Sequence, residues 1–156
     1  MNETLIAVVP LAYLAVMAIP LLVTDYKEHR LPNKTILPFI VLSFFAGLVA
    51  SAVSGEWLRF GYAVIIAFTI GIIGIVANYA GLIGMGDVKL FFGVALTISW
   101  FSPLHFLITL LTSFGIAFLV VAVLVLRGKV VSGTSIPLGL FTIPTTLIFG
   151  TLAVIS

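Results

Sequence analysis

Residues 5–24 read LIAVVPLAYLAVMAIPLLVT, a run of twenty residues without a charged side chain. A helix needs about 20 apolar residues to cross a hydrocarbon core of about 30 Å. Backbone polar groups in lipid must pair within the chain, and runs of this length are too long for barrel strands, so the pattern predicts a transmembrane helix. Five further apolar stretches are expected to form helices, at about 36–54, 57–78, 88–101, 104–126 and 136–156.

The composition agrees with an all-α integral membrane protein of about six transmembrane helices. The chain of 156 residues is 62% hydrophobic and 8% charged, and its mean hydropathy is +1.37. Six spans leave little sequence for anything else, so residues 1–156 are expected to form a single membrane-embedded domain. The absence of cysteine excludes disulfides, thiolate catalysis and cysteine metal sites. We expect no metal or other cofactor, and a net charge of +2 is too small to favour nucleic acid as a partner.

The positive charges predict the topology. Arg59 is the one lysine or arginine assigned to the side that carries the termini. The first, third and fifth loops, with their flanks, hold the other six: Lys27, Arg30, Lys34, Lys89, Arg127 and Lys129. Because cytoplasmic loops are enriched in Lys and Arg, loops 1, 3 and 5 are expected in the cytoplasm and both termini outside. This corresponds to a multi-pass protein of the inner (cytoplasmic) membrane.

Two carboxylates, Asp25 and Asp87, lie at the edges of predicted spans, on the same cytoplasmic side. A carboxylate near lipid is costly, and it indicates a functional site with a nearby partner. The two residues are far apart in sequence, so packing of the first and fourth spans must bring them together. Small residues at helix crossings permit such close approach. The candidates are Gly71, Gly74 and Gly93, which are equally compatible with ordinary membrane glycines.

The fourth predicted span, at 88–101, is short. A helix of that length rises about 21 Å, less than the hydrocarbon thickness. Either its first residues begin below the membrane surface, which would draw Asp87 inward, or the bilayer thins locally, or the helix extends through Ser102. We favour the first interpretation.

The string GMGDVKL at residues 84–90 is the most specific in the chain. Gly84 and Gly86 remove side chains next to Asp87, which allows an extended substrate to approach the backbone closely. Lys89 belongs to the same stretch. An alternative interpretation is that Asp87 is the N-cap of the fourth helix, because Asp is favoured at that position. The two roles are compatible.

A second string, DYKEHRLPN at residues 25–33, follows the first span. Pro32 and Asn33 are typical of a turn that leads into a helix. Glu28 reads as a solvated charge, but it is also the one other acidic group on this side and would attract basic residues of a substrate. His29 suggests a poorer alternative, a serine hydrolase using Ser132 or Ser135. His105, by contrast, is expected at the external interface.

Together these strings resemble the prepilin peptidases, membrane aspartic proteases with a Gly-x-Gly-Asp motif. Asp25 precedes Leu31-Pro32-Asn33, GMGDVKL opens a later span, and residues 135–139, SIPLG, resemble the closing motif of that family. The resemblance implies that Asp25 and Asp87 are the catalytic pair. It also implies cleavage of the short basic leader of prepilins, pseudopilins or archaellins at the cytoplasmic membrane face. The methyltransferase domain of larger members is not recognisable, so a minimal, peptidase-only form is expected.

Two other classes of function remain open from the sequence. A small ion- or proton-coupled transporter would use Asp25 and Asp87 to bind ions, although such sites usually lie near the bilayer midplane. A non-catalytic scaffold would use Asp87 as a helix cap and pair Asp25 with Arg30 or Lys27. In the scaffold, replacing either aspartate would alter folding rather than activity.

Overall fold

The computed structural model describes residues 2–28, 31–128 and 138–156. These residues form six helices, which confirms the predicted all-α class. The helices are α1 Asn2–Glu28, α2 Asn33–Ser54, α3 Trp57–Tyr79, α4 Met85–Phe101, α5 Pro103–Leu126 and α6 Gly139–Ile155.

Four of these helices, α1, α2, α3 and α5, are long and apolar enough to cross a membrane, and α6 is a shorter apolar helix. Two of the turns between them are tight, as predicted. Gly55 ends α2 with a φ of 77°, a left-handed conformation that glycine adopts without steric cost. Ser102 separates α4 from α5, and its hydroxyl accepts the N–H of His105 at 3.4 Å while Pro103 opens α5.

The boundaries of α4 differ from the prediction. This helix ends at Phe101 and begins at Met85, three residues earlier than expected, so it does not extend through Ser102. Its 17 residues rise about 25 Å, which reduces the predicted mismatch with the hydrocarbon thickness. Asp87 therefore lies within the first turn of α4 rather than before it.

Helix α4 is the centre of the bundle and packs against all five other helices. A Cβ at Gly93 would lie 2.6 Å from the Phe39 ring, and one at Gly74 would lie 2.8 Å from Val88. These glycines, predicted at helix crossings, bring α4 close to α2 and α3. They do not lie at the contact of α1 with α4, where the meeting of Asp25 with Asp87 would require small residues.

Buried hydroxyl groups join the helices laterally. The Thr97 hydroxyl of α4 donates to Ser43 of α2 at 2.8 Å, and the Trp100 indole N–H donates to Ser51 at 2.7 Å. Such bonds between helices in lipid contribute about 0.6 kcal/mol each on average. Helix α2 is thereby held along the length of α4, which fixes the start of α2 beside the start of α4.

Candidate active site

Asp25 lies in the last turn of α1, which continues beyond it to Glu28. The side chain is 2% exposed, although it ends the long apolar run near the predicted membrane boundary. Ionised carboxylates are almost never fully buried without compensating interactions, because removing charge from water is costly. Its burial therefore sets Asp25 apart from the exposed Glu28, three residues later.

Asp87 is the third residue of α4, and Gly84 is the residue at the N-cap position. The hypothesis that Asp87 is the N-cap is therefore wrong. An acidic side chain at the third position can instead reach back towards the N-cap residue, as in a capping box. The backbone N–H of Gly84 does lie close to the Asp87 carboxyl group, and a Cβ on Gly84 would be 3.1 Å from Asp87 Oδ2.

Gly86 packs against the first loop. A Cβ at this residue would lie 3.1 Å from the Leu31 Cβ and 3.2 Å from the Leu31 backbone nitrogen. The space over Gly86 is therefore occupied by the first loop of the protein itself. Gly86 lets that loop approach α4 closely, and its part in the approach of a substrate stays a prediction.

Asp25 and Asp87 line one cavity of about 340 Å³. The predicted residues Gly84, Gly86, Lys89 and Asn33 also line it, together with Leu31 and Met85. The tertiary structure thus brings together six of the eight residues singled out from the sequence.

Lys89 and Asn33 connect two elements at this cavity. The Lys89 Nζ donates a hydrogen bond to Asn33 Oδ1 at 2.9 Å, which links α4 to the first residue of α2. A cation thus lies at the wall of the cavity that contains both carboxyl groups. Because opposite charges attract over several ångströms, Lys89 favours negative charge within the cavity.

The structure does not bring Pro32 and Glu28 into the cavity lining. Pro32 precedes α2, and its carbonyl accepts the N–H groups of Thr35 and Ile36 at 3.0 and 3.1 Å. Glu28 is exposed at the end of α1. His105 lies in the first turn of α5, partly buried.

Gly139, the first residue of α6, lies close to the carboxyl groups of both Asp25 and Asp87. A Cβ at Gly139 would lie 2.6 Å from Asp25 Oδ2 and 3.1 Å from Asp25 Cγ. The backbone N–H of Gly139 also lies close to the Asp87 carboxyl group. Gly139 is the last residue of the SIPLG string at 135–139, but the string alone predicts no role for it. The available signal is a glycine in the first turn of the helix predicted at 136–156.

The Asp87 carboxyl group lies in the first turn of α4, and the Asp25 carboxyl group lies against the first residue of α6. The first turn of a helix carries partial positive charge, which stabilises an anion nearby. Within the described part of the chain, Asp87 Oδ1 is buried and has no hydrogen-bond partner. That oxygen is available to a water molecule or a substrate group, which is the chemical requirement of a general acid or base.

Several predicted contributors lie outside the described residues: His29, Arg30, Lys129, Ser132, Ser135, Ile136 and Pro137. The serine-hydrolase alternative and the pairing of Asp25 with Arg30 therefore stay untested. Across residues 2–28, 31–128 and 138–156, no group of three or more His, Asp or Glu side chains is arranged to hold a metal ion.

Comparison with known proteins identifies the family. A family model described as the type IV leader peptidase family matches residues 12–126, more than half of the chain, including both aspartates and the string at 84–90. Neither the curated proteins nor the solved structures that were compared gave a match. The match confirms the resemblance seen in the sequence motifs. The chain belongs to the type IV leader peptidase family, and its long apolar helices make it a multi-pass membrane peptidase.

Proposed function

We propose that this peptidase is an aspartic endopeptidase in which Asp25 and Asp87 are the catalytic pair. The observation that supports it best is that two carboxyl groups from opposite ends of α1 and α4 line one cavity. Only 8% of the residues in the chain are charged. Two acidic side chains at one cavity therefore distinguish this site from the rest of the chain, where charged residues are rare. An ion-coupled transporter is disfavoured, because both carboxyl groups lie at helix ends and transporter sites usually lie near the midplane.

The mechanism follows from two acids sharing one proton. Like charges close together in a poorly solvated site do not both ionise easily, so one carboxyl group keeps its proton. The ionised carboxylate removes a proton from a water molecule, whose oxygen attacks the scissile carbonyl carbon. The protonated carboxyl group donates its proton to the carbonyl oxygen. Collapse of the tetrahedral intermediate then breaks the C–N bond, and the leaving amine takes up a proton.

The roles of acid and base belong to the pair rather than to either residue. General acid–base assistance contributes about 10²–10⁴-fold to a rate, so accurate positioning must supply much of the remainder. Two features of the site support positioning. Asp25 is held in the last turn of α1 against Gly139, and Asp87 is held in the first turn of α4 near two backbone N–H groups.

The proposed substrates are type IV prepilin-like precursors, namely pilins, pseudopilins or archaellins. Each has a short basic leader followed by an apolar helix, so its cleavage point would lie at a membrane interface. The charge bias of the loops predicts that this interface is the cytoplasmic face of the inner membrane. Glu28, exposed at the end of α1, is proposed to attract the basic leader. Glu28→Gln should then weaken cleavage of strongly basic leaders more than cleavage of weakly basic ones.

The decisive experiment is cleavage of a type IV prepilin by the purified protein in liposomes. Asp25→Asn and Asp87→Asn should each abolish detectable cleavage while the protein keeps its helical content and thermal unfolding midpoint. Glu56→Gln is the matched control, because Glu56 pairs with Arg59 at 2.6 Å at the opposite end of the bundle. A metal chelator and a serine-directed reagent should leave cleavage intact. Normal folding and continued cleavage in both aspartate variants would show that the proposed mechanism is wrong.

A further inference from the structure

We call the cavity lined by Asp25 and Asp87 the dyad cavity. An apolar groove lies beside it, between α2, α3 and α4. We call it the α2–α3–α4 groove; its volume is about 260 Å³. Its walls are formed by apolar side chains of all three helices together with the aliphatic part of Lys89. They include Ile40 of α2, Phe68, Ile72 and Ile75 of α3, and Met85 and Phe92 of α4. Ile72 and Phe68 are 62% and 57% exposed, so the groove opens to the membrane side of the bundle.

Two aromatic rings in contact form part of the groove lining. The rings of Phe68 and Phe92 meet edge to face, with centroids 5.5 Å apart and planes at 86°. Gly71 lies beside them, and a Cβ at Gly71 would be 3.1 Å from the Phe92 ring. A glycine at this position lets the Phe92 ring approach the α3 backbone closely.

The groove adjoins the dyad cavity. Met85 and Lys89 line both of them. Two other apolar grooves of the described helices, one between α1 and α6 and one between α3, α4 and α5, share no lining residue with the dyad cavity. The α2–α3–α4 groove is therefore the one of these three that adjoins the cavity of the aspartates.

We propose that the α2–α3–α4 groove binds the apolar residues that follow the scissile bond of the substrate. This inference rests on the proposed function, because it requires the scissile bond to lie at Asp25 and Asp87. The dyad cavity has the size of a small-ligand pocket. An extended chain advances about 3.3 Å per residue, so it leaves such a cavity within a few residues of the bond.

The charge of Lys89 sets the direction in which the substrate lies. Its side chain lines both the cavity and the groove, and its ammonium group is hydrogen-bonded to Asn33 at the cavity. A basic leader would be repelled by this cation, and burying its charges in an apolar groove would be costly. Apolar residues meet neither penalty. The leader is therefore held on the polar side of the cavity, and the apolar segment is directed into the groove.

Cysteine cross-linking tests the proposal directly, because the chain has no cysteine of its own. The probe is a type IV prepilin with one cysteine a few residues after its cleavage site, bound to the uncleaving Asp87→Asn protein. On addition of a mild oxidant that accepts the two electrons of the thiol pair, Ile72→Cys should form a disulfide with it. Ile19→Cys is the matched control, because Ile19 is also an isoleucine, is 75% exposed on α1, and lies outside the groove. Equal cross-linking at Ile19 and Ile72, or none at Ile72, would overturn the proposal.

A second measurement uses groove-filling variants. Ile72→Trp and Ile75→Trp should raise the KM for a full-length prepilin about tenfold. They should raise it less for a short peptide that contains the leader and cleavage site without the apolar segment. Ile19→Trp should leave both KM values at the wild-type level. An equal effect of the groove variants on both substrates would contradict the inference. If wild-type protein cleaves neither substrate, the proposed function fails instead.

Discussion

Replacing Gly139 with alanine should lower the kcat/KM of the peptidase about 10²-fold while leaving its fold intact. The new Cβ would lie 2.6 Å from Asp25 Oδ2, where ordinary van der Waals contact begins near 3.4 Å. Either the carboxyl group or the start of α6 must therefore move by about 0.8 Å, and Asp25 is buried within a helix that leaves it little freedom. A misplacement of about 1 Å at a catalytic group can reduce a rate by about 10²-fold. Alanine is otherwise favoured over glycine in a helix by about 0.5–1 kcal/mol, so the substitution itself does not weaken α6.

The assay is the kcat/KM for prepilin cleavage in liposomes, measured together with the thermal unfolding midpoint. Gly115→Ala is the matched control, because a Cβ at Gly115 in α5 has nothing within 4 Å. We expect kcat/KM to fall about 10²-fold for Gly139→Ala and to stay at the wild-type level for Gly115→Ala. Gly139→Ala protein that unfolds like wild type and cleaves at the wild-type rate would refute the assigned contact between α6 and Asp25.

Three further outcomes are expected. Gly86→Ala should lower both cleavage and the unfolding midpoint, because its Cβ would lie 3.2 Å from the backbone nitrogen of Leu31, which has little room to move; unchanged values would contradict that packing. Thr97→Val should lower the free energy of unfolding by about 0.6 kcal/mol with no change in KM, because it removes one buried bond to α2; a large rise in KM would show that Thr97 acts on substrate. In intact cells, a membrane-impermeant maleimide should label Trp57→Cys but not Tyr79→Cys, since α3 should run from outside to the cytoplasm; the reverse pattern would invert the topology.

The helices were predictable because the thickness of a membrane dictates the length of an apolar run. The ends of the helices were less predictable: α1 continues to Glu28, four residues beyond the predicted end, and α4 begins three residues early. Met85, Gly86 and Asp87 read as loop, since glycine is a poor helix former and Asp is common before helices. The contact of Gly86 with Leu31 and the central position of α4 override those local preferences. Propensity is a weak guide wherever tertiary packing is this close.

The two aspartates could be selected from the sequence because charge is rare and costly in an apolar chain. The glycines were harder to interpret. Gly84 and Gly86 read as room for a substrate, and the structure shows in addition that Gly86 accommodates the chain's own first loop. Gly139 was identified only as part of a motif. Its importance lies in the side chain it lacks at a crossing with α1, and a sequence does not state which helices cross.

The order of amino acids was sufficient to specify an all-helical membrane peptidase with one acidic group at each of two helix ends. The reason is that an unpaired backbone polar group or a charged side chain in hydrocarbon costs free energy at any position, whatever its neighbours. It was not sufficient to specify which surfaces meet. That Asp25 and Asp87 share a cavity, that Gly139 adjoins both, and that an apolar groove leads away past Lys89 are consequences of packing. Those contacts join residues far apart along the chain, and they depend on the rotation and depth of each helix relative to its neighbours.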